Sequence, residues 1–227
     1  MPRRKNLLTS RQENPFPTLD YEQCLWRDGY VRIAGIDEAG RGALAGPVAA
    51  AAVILPTDPS LQQSLRGVRD SKLMSPEARE AWAPRIQSAC LGWGVGFASA
   101  EEIDSGGILP ATKLAATRAF NSLASKFEGL CPDYLLTDLL IFSEIDLPQT
   151  ALVKGDQLSL SISAASVLAK TARDAYMRGL ESRYPGYSFA RHKGYGTAVH
   201  LQALQKLGRC EIHRKSFSIA AISPEME

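Results

Sequence analysis

Residues 31–42 read VRIAGIDEAGRG, and this stretch decides the fold. Its first half is rich in β-branched residues and predicts a strand that ends at two adjacent carboxylates, Asp37 and Glu38. The glycines that follow favour a tight turn, because glycine adopts backbone angles that other residues avoid. A second run, Val48 to Leu55, is apolar on both faces. We therefore expect a central strand that pairs antiparallel with the first one.

The remainder of the chain alternates between helical and extended patterns. Ser75 and Pro76 are typical of a helix start, with a capping serine before a first-turn proline. Helices are expected over residues 75–90, 111–127 and 159–184, with a short one ending near 207, and strands over 93–99, 134–138 and 150–153. This order predicts an α/β fold, in which one mixed five-stranded sheet is flanked by helices in a single domain with a helical C-terminal extension.

The two ends of the chain lack this regular pattern. Residues 1–28 are polar, include Pro15 and Pro17 and show no clear periodicity. We expect a flexible arm with at most a short helix at its end. Residues 29–217 are assigned to one globular domain, and residues 218–227 to a short tail.

The composition is that of an ordinary soluble globular protein. Of the 227 residues, 45% are hydrophobic and 22% are charged, which excludes a disordered chain. No apolar run approaches the ~20 residues that a membrane-spanning helix needs. The four cysteines lie far apart without a C-x-x-C pair, which argues against a zinc ribbon and a disulfide scaffold. The N-terminus lacks the apolar stretch of a signal peptide, so we expect a cytoplasmic protein.

Positive charge is concentrated near the C-terminus. Residues 170–216 contain ten Lys and Arg residues but only three Asp and Glu residues, although the net charge of the chain is +2. A basic quarter beside an acidic remainder suits a polyanion held near a carboxylate site. A solvated helix face with chance clustering of charge is the alternative.

Acidic residues end three of the predicted strands. Asp37 and Glu38 end the first, Asp138 ends the fourth, and Asp156 follows the fifth. Each one alone is more often a turn residue than a site residue. If the strand ends meet at one edge of the sheet, however, four carboxylates stay ionised together only beside divalent cations. An all-oxygen ligand set favours Mg²⁺ or Mn²⁺, and two such ions suit in-line hydrolysis of a phosphodiester.

Basic residues in three loops are candidates for phosphate contacts. Lys72 follows Asp70, Lys154 follows the fifth strand, and Lys193 lies two residues before Tyr195. The lysines are suited to phosphate oxygens, and the tyrosine to a base or sugar. The alternative is that turn geometry alone selects these loop residues.

Taken together, the motifs resemble type 2 ribonuclease H, from about residue 31 to residue 217. The resemblance implies a ribonuclease H fold and an endonuclease that cuts the RNA strand of RNA–DNA hybrids. It also implies nicking of duplex DNA on the 5′ side of an embedded ribonucleotide, with 3′-hydroxyl and 5′-phosphate products, in support of ribonucleotide removal from DNA. The motifs that carry it are GIDEAGRG (35–42), DSK (70–72), VKGD (153–156), SAASVLAK (163–170) and HKGYGT (192–197).

The resemblance also implies roles for individual residues. The metal ligands and catalytic residues are Asp37, Glu38, Asp138 and Asp156, and the metal is Mn²⁺ or Mg²⁺. The substrate-binding residues are Gly40, Arg41, Gly42, Lys72, Lys154, Lys193 and Tyr195. The Gly-Arg-Gly segment would sense the 2′-hydroxyl, which is the group that distinguishes RNA from DNA at a given position. The tyrosine would select the sugar that follows the ribonucleotide, and we expect the enzyme to act as a monomer.

Two features depart from or compete with this assignment. The family usually has Asp-Gly where this chain has Asp138 and Leu139, so the placement of that carboxylate needs testing. Asp174 is a rival fourth ligand. Because it lies one helical turn from Lys170 and Arg178, we interpret it as part of a structural ion pair instead.

Other functional classes fit the sequence less well. A silent hybrid-binding module with the same fold would be expected to lose a carboxylate, but all four are present. An acidic-site phosphatase would not need the basic quarter or Tyr195. The related type 3 ribonuclease H carries a sizeable extra N-terminal domain, for which the 28-residue arm is too short.

Overall fold

The computed structural model describes residues 16–218, and within them the chain forms one mixed five-stranded sheet. The strand order is β3-β2-β1-β4-β5. Strand β1 pairs antiparallel with β2 and parallel with β4. Strand β2 pairs antiparallel with β3, and β4 pairs parallel with β5. The mixed sheet and the antiparallel first pair are confirmed. The strands are β1 (Ile33–Ala39), β2 (Val48–Ile54), β3 (Gly92–Ala98), β4 (Tyr134–Asp138) and β5 (Gln149–Leu152).

Helices cover both faces of the sheet. They are α1 (Asp20–Arg27), α2 (Leu61–Ser64), α3 (Pro76–Ala89), α4 (Ala100–Gly106), α5 (Ile108–Lys126), α6 (Gly155–Leu158), α7 (Leu160–Gly179), α8 (Phe189–His192) and α9 (Ala198–Leu207), with a 3₁₀ turn at Ser71–Leu73. The short helices α2, α4, α6 and α8 were not predicted. Helix α7 ends five residues earlier than predicted. Helix α5 begins before Pro110, because a proline in the first turn removes no intrahelical hydrogen bond.

Strand β2 is the centre of the core. All seven of its residues are buried, which confirms the prediction of a central strand. Ala52 and Ile54 pack with α5 on one face, whereas Ala51 and Val53 pack with α7 on the other. Helix α7 lies so close to β1 that a side chain at Gly35 would overlap the helix backbone. This close contact fixes α7 beneath the strand that carries the acidic pair.

The N-terminal segment is held to the core from residue 16 onward. Glu22 in α1 is buried, and its carboxylate accepts hydrogen bonds from the Ser159 hydroxyl (2.6 Å) and the Ser161 backbone N–H (2.9 Å) at the start of α7. Burial raises the pKa of Glu22. The flexible arm expected over residues 1–28 is therefore wrong for residues 16–28, although the predicted short helix is present. Residues 1–15 and 219–227 lie outside the described residues.

Two further features agree with the composition. Within residues 16–218, no helix combines the length and the apolar character needed to cross a bilayer. All four cysteines carry free thiols.

Candidate active site

The parallel pairing of β1 and β4 brings two predicted carboxylates together. Ile36 pairs with Thr137, so the next positions along the ladder are Asp37 and Asp138. Paired residues on neighbouring strands face the same side of a sheet. Both carboxylates therefore lie at the strand ends on the face covered by α7.

The third carboxylate comes from the turn after β5. Asp138 pairs with Leu152, and three residues later the Gly155 N–H donates a hydrogen bond to the Asp138 carboxylate at 2.8 Å. Lys154 has φ 58°, a left-handed conformation that turns the chain from β5 into α6. The turn places Asp156, which is buried, at the same edge of the sheet.

The carboxylates at this edge of the sheet raise one another's pKa. Burial raises the pKa of Asp37 well above its usual value, and the charges of Glu38 and Asp138 raise it further. Burial raises the pKa of Asp156 to about 6, with further contributions from Asp70 and Asp138. Negative charge at this edge is therefore not balanced by the protein alone.

Glu38 is the most accessible of the strand-end pair. Its side chain is 11% exposed and accepts a hydrogen bond from the Arg41 guanidinium at 3.1 Å. Burial raises the pKa of Glu38, and the charge of Arg41 opposes that shift. We call Asp37, Glu38, Asp138 and Asp156 the carboxylate cluster.

The carboxylate cluster fits a divalent cation by its chemistry. All its donors are carboxylate oxygens, which is the ligand type that Mg²⁺ and Mn²⁺ prefer. Among residues 16–218, no three acidic, histidine or cysteine side chains are already arranged as a finished metal-binding group. Three of the four carboxylates are engaged in hydrogen bonds within the protein: Asp37 accepts from the Glu38 N–H at 2.7 Å, Glu38 pairs with Arg41, and Asp138 accepts from the Gly155 N–H.

Two polar residues to which the sequence analysis assigned no role in the site lie beside the carboxylate cluster. Ser166 of α7 lies beside Asp37, and its hydroxyl donates to the Ser71 hydroxyl at 2.8 Å. Asp70 accepts from the Lys72 backbone N–H at 2.9 Å and lies beside Asp156. The signal for Ser166 was a serine at a buried position of an alanine-rich helix.

The predicted lysines differ in their surroundings. Burial lowers the pKa of Lys72, but Asp70, Asp156 and Asp37 raise it, and the net shift is upward. Lys72 therefore interacts electrostatically with carboxylates of the cluster. Lys154 is exposed on the turn before Asp156. The ammonium of Lys193 bonds to the Ala190 carbonyl, so that lysine points along its own loop.

The Tyr195 ring lies beside α7, and Asp174 is a residue of that helix. The Tyr195 ring is 5.0 Å from the Lys170 ammonium and 5.2 Å from the Arg173 guanidinium, measured to the ring centroid. Asp174 pairs with Arg79 at 2.9 Å and with Lys170 at 2.7 Å. The interpretation of Asp174 as part of a structural ion pair is confirmed. Lys170 is a predicted partner on the same helix, and Arg79 of α3 is a second partner, whereas Arg178 pairs with Glu80.

Leu139 shows why a glycine is common at its position. It has φ 61°, in the left-handed region that glycine favours, and its side chain is 55% exposed. Its backbone N–H still donates to the Leu152 carbonyl at 3.0 Å. The register of Asp138 is therefore kept despite the leucine.

The basic C-terminal quarter is only partly a surface feature. Arg173 and Arg214 supply two of its ten positive charges, and their exposed fractions are 0% and 1%. Counting them as part of a polyanion-binding surface was wrong, because both guanidiniums are turned inward to backbone carbonyls.

The chain is similar in sequence to known proteins of one family. The family model for Ribonuclease HII matches residues 34–220. The chain belongs to the ribonuclease HII family. It is 50% identical to the ribonuclease HII of Syntrophotalea carbinolica over 207 residues, which is 89% of this chain and 95% of the relative. It is thus a divalent-metal-dependent endoribonuclease that acts on RNA–DNA hybrids.

Solved structures share the fold. The ribonuclease HII of Archaeoglobus fulgidus, solved as a complex with PCNA, has a TM-score of 0.69 and 24% identity, and the match covers 86% of this chain and 98% of that one. A Bst ribonuclease HIII solved with Mn²⁺ has a TM-score of 0.57 and 21% identity, covering 79% of this chain and 63% of that one. At these identities the match confirms the ribonuclease H-like fold alone.

Proposed function

We propose that this ribonuclease HII also nicks duplex DNA on the 5′ side of an embedded ribonucleotide, using two Mg²⁺ or Mn²⁺ ions held by the carboxylate cluster. The observation that carries the proposal is the convergence of carboxylates from β1, β4 and the turn after β5 around the buried Asp37. Like charges that raise one another's pKa are compensated by bound cations.

The residues divide the work of hydrolysis. When bound, the ions supply an activated water and stabilise the leaving oxygen. Asp37 and Asp138 lie side by side and are suited to share one ion, and Ser166 lies beside Asp37. The attacking water forms the new P–O bond, and the bond to the 3′ oxygen breaks. The products would be a 3′-hydroxyl on the preceding nucleotide and a 5′-phosphate on the ribonucleotide.

Recognition of the ribonucleotide is assigned to two turns. Gly40, Arg41 and Gly42, which follow directly after β1, would contact the 2′-hydroxyl beside the scissile phosphate. Tyr195, half-buried against α7, would contact the next sugar. A sugar lacking a 2′-hydroxyl would leave the polar groups of the first turn without a partner, which favours RNA at the cut.

Phosphate contacts are assigned to Lys72, Lys154 and Lys193. Lys72 and Lys154 flank the carboxylate cluster. Their positive charges reduce the electrostatic repulsion between the cluster and a polyanion. Lys193 would reach a phosphate by releasing its bond to the Ala190 carbonyl. Binding through such contacts weakens as salt rises, because counterions are released.

A nick-mapping experiment tests the proposal directly. A duplex with a single ribonucleotide is incubated with the enzyme in Mg²⁺, in Mn²⁺ and in EDTA, beside an all-DNA duplex as control. We expect one metal-dependent nick on the 5′ side of the ribonucleotide. Cleavage in EDTA, or cleavage of the continuous hybrid without any nick at the lone ribonucleotide, would overturn it.

The cellular setting stays a prediction. We infer that the enzyme works as a monomer in the cytoplasm and that its nick starts the removal of ribonucleotides from DNA. Sedimentation of the full chain, alone and with the duplex, tests the monomer. A mass of two chains on one duplex would contradict it.

A further inference from the structure

Two buried arginines next to the active site lack carboxylate partners. Arg173 in α7 and Arg214 after α9 are 0% and 1% exposed, and within residues 16–218 neither forms an ion pair. A buried charge is expensive unless hydrogen bonds satisfy it. We call these two residues the arginine pair.

Arg214 is bonded to the turn that follows β1. Its Nη2 donates to the Gly40 carbonyl at 2.7 Å, its Nη1 to the Arg41 carbonyl at 2.7 Å, and its Nε to the Gly46 carbonyl at 3.0 Å. One planar guanidinium thus fixes three carbonyls of a single loop. A lysine ammonium lacks this fork of donors.

Arg173 joins that loop to the Tyr195 turn. Its Nε donates to the Pro47 carbonyl at 2.8 Å and its Nη2 to the Ala45 carbonyl at 3.1 Å, whereas its Nη1 donates to the Lys193 carbonyl at 3.0 Å. The same guanidinium lies 5.2 Å from the centroid of the Tyr195 ring. A side chain at Gly40 would collide with this arginine, so the turn and α7 are in direct contact.

Backbone hydrogen bonds complete the unit. The Leu44 N–H donates to the Gly194 carbonyl and the Gly46 N–H to the Ile212 carbonyl, each at 2.8 Å. Hydrogen bonds therefore connect three segments of the chain, with the arginine pair at their centre. The segments are residues 40–47, 193–195 and 212–214.

We propose that Arg173 and Arg214 are positioning residues for ribonucleotide recognition. They hold the Gly40–Gly42 turn and the Tyr195 turn at a fixed distance from each other. The two turns can then bind the 2′-hydroxyl and the following sugar at the same time. Their burial keeps them from the phosphates, so they act through the two turns and not on the substrate. This inference rests on the proposed function of the two turns.

The test uses Arg214→Lys and Arg173→Lys in the full chain. Each variant keeps the charge but loses the fork, and we expect the rate at a lone ribonucleotide to fall by about 100-fold, as for a misplacement near 1 Å. The dissociation constant for the duplex should change little. The ratio of the lone-ribonucleotide rate to the continuous-hybrid rate should fall as well. A continuous hybrid offers many positions for cleavage, and at these positions contact with one of the two turns is enough.

A matched control separates positioning from general loss of stability. Arg118→Lys disrupts three hydrogen bonds, to the Phe97 carbonyl and the Glu102 carboxylate, far along the chain from both turns. This variant should keep the wild-type ratio of rates. A folded Arg214→Lys or Arg173→Lys variant with that same ratio would overturn the inference, provided that the wild type nicks at the lone ribonucleotide. If the wild type does not, the proposed function itself fails.

A second measurement applies even if both lysine variants fail to fold. The side-chain Nε–H signals of Arg173 and Arg214 are recorded by NMR in the wild type in EDTA, with an all-DNA duplex and with a duplex holding one ribonucleotide. We expect both signals to shift only with the second duplex. Identical spectra with the two duplexes would overturn the inference.

Discussion

The carboxylate cluster and the arginine pair bury opposite charges in opposite ways. In the carboxylate cluster, burial and like charges raise the pKa of Asp37 and Asp156. In the arginine pair, each guanidinium donates three hydrogen bonds to backbone carbonyls. Negative charge is thus concentrated at the proposed cation site, whereas the positive charge of the arginines is satisfied by the backbone segments that they connect.

The largest expected effect comes from Asp37→Asn. We expect the cleavage rate in Mg²⁺ or Mn²⁺ to fall on the order of 1,000-fold, since several kcal/mol of transition-state stabilisation depend on the metal. The exposed Asp58→Asn serves as the control and should keep the wild-type rate. A near-normal rate for Asp37→Asn would remove Asp37 from the site.

The same variant sharpens the comparison through stability. The pKa of Asp37 is raised in the folded state, so ionising it costs stability as the pH rises above the unfolded value of ~3.9. In EDTA at neutral pH, Asp37→Asn should therefore melt at or above the wild-type temperature. A clear drop in melting temperature would mean that the carboxylate stabilises the fold by itself.

Tyr195→Ala is expected to have the next largest effect. Loss of one aromatic contact of ~1–3 kcal/mol should lower the rate at a lone ribonucleotide by about 5-fold to 150-fold. Duplex affinity should change less, because phosphate contacts dominate it. Tyr195→Phe keeps the ring beside Lys170 and Arg173 and should retain most of the activity. Equal loss of rate and affinity would make Tyr195 a docking residue only.

The three histidines of the chain are buried and hydrogen-bonded like the arginine pair. Their environment predicts how the free energy of unfolding depends on pH. His200 donates from Nδ1 to the Tyr195 carbonyl at 2.9 Å and accepts at Nε2 from His213 at 3.1 Å, while His192 accepts at Nδ1 from the Gly194 N–H at 3.1 Å. Burial lowers the pKa of all three, that of His200 to about 4. Burial therefore favours the neutral form of each ring.

The sign of the effect follows from those lowered values. Below an unfolded pKa of ~6.5 the unfolded chain binds protons that the folded chain refuses, so the free energy of unfolding falls as the pH drops from 7 towards 4. Each proton contributes a slope of up to about 1.4 kcal/mol per pH unit. Urea titrations at several pH values should show a shallower slope for His200→Gln. An unchanged slope would contradict a neutral His200.

The smallest effect is expected from Leu139→Gly. Glycine removes the strain of a left-handed leucine, at φ 61°, but increases the freedom of the unfolded chain, so we expect a gain of at most about 1 kcal/mol. Activity should be unchanged, because the N–H bond to Leu152 does not depend on the side chain. A large loss of activity would show that the exposed leucine contacts the substrate.

Much of the fold follows from local pattern. β4 has the predicted bounds, and the other strands begin or end within about two residues, within the usual uncertainty of such boundaries. Helix α4 was missed although Ser99 and Glu102 form a capping box that the sequence displays. The docking of α1 could not be predicted, because the Glu22 carboxylate bonds to Ser159, 137 residues away.

The site was predictable where charge pattern and strand ends coincide. Asp37, Asp138 and Asp156 stand out only together, because carboxylates that end several strands can meet at one edge of the sheet. Arg173 and Arg214 were read as surface charge, because nothing local to an arginine shows that backbone carbonyls will surround it. Ser166 needed the tertiary contact between α7 and β1, which only the folded chain reveals.

The most direct test of the account counts the Mn²⁺ ions bound to the wild type and to Asp37→Asn by EPR titration at neutral pH. If carboxylates from three separate segments share the ions, the wild type should bind Mn²⁺, and Asp37→Asn should bind it about tenfold more weakly or worse. Equal Mn²⁺ affinity in the two proteins would contradict the carboxylate cluster as the metal site.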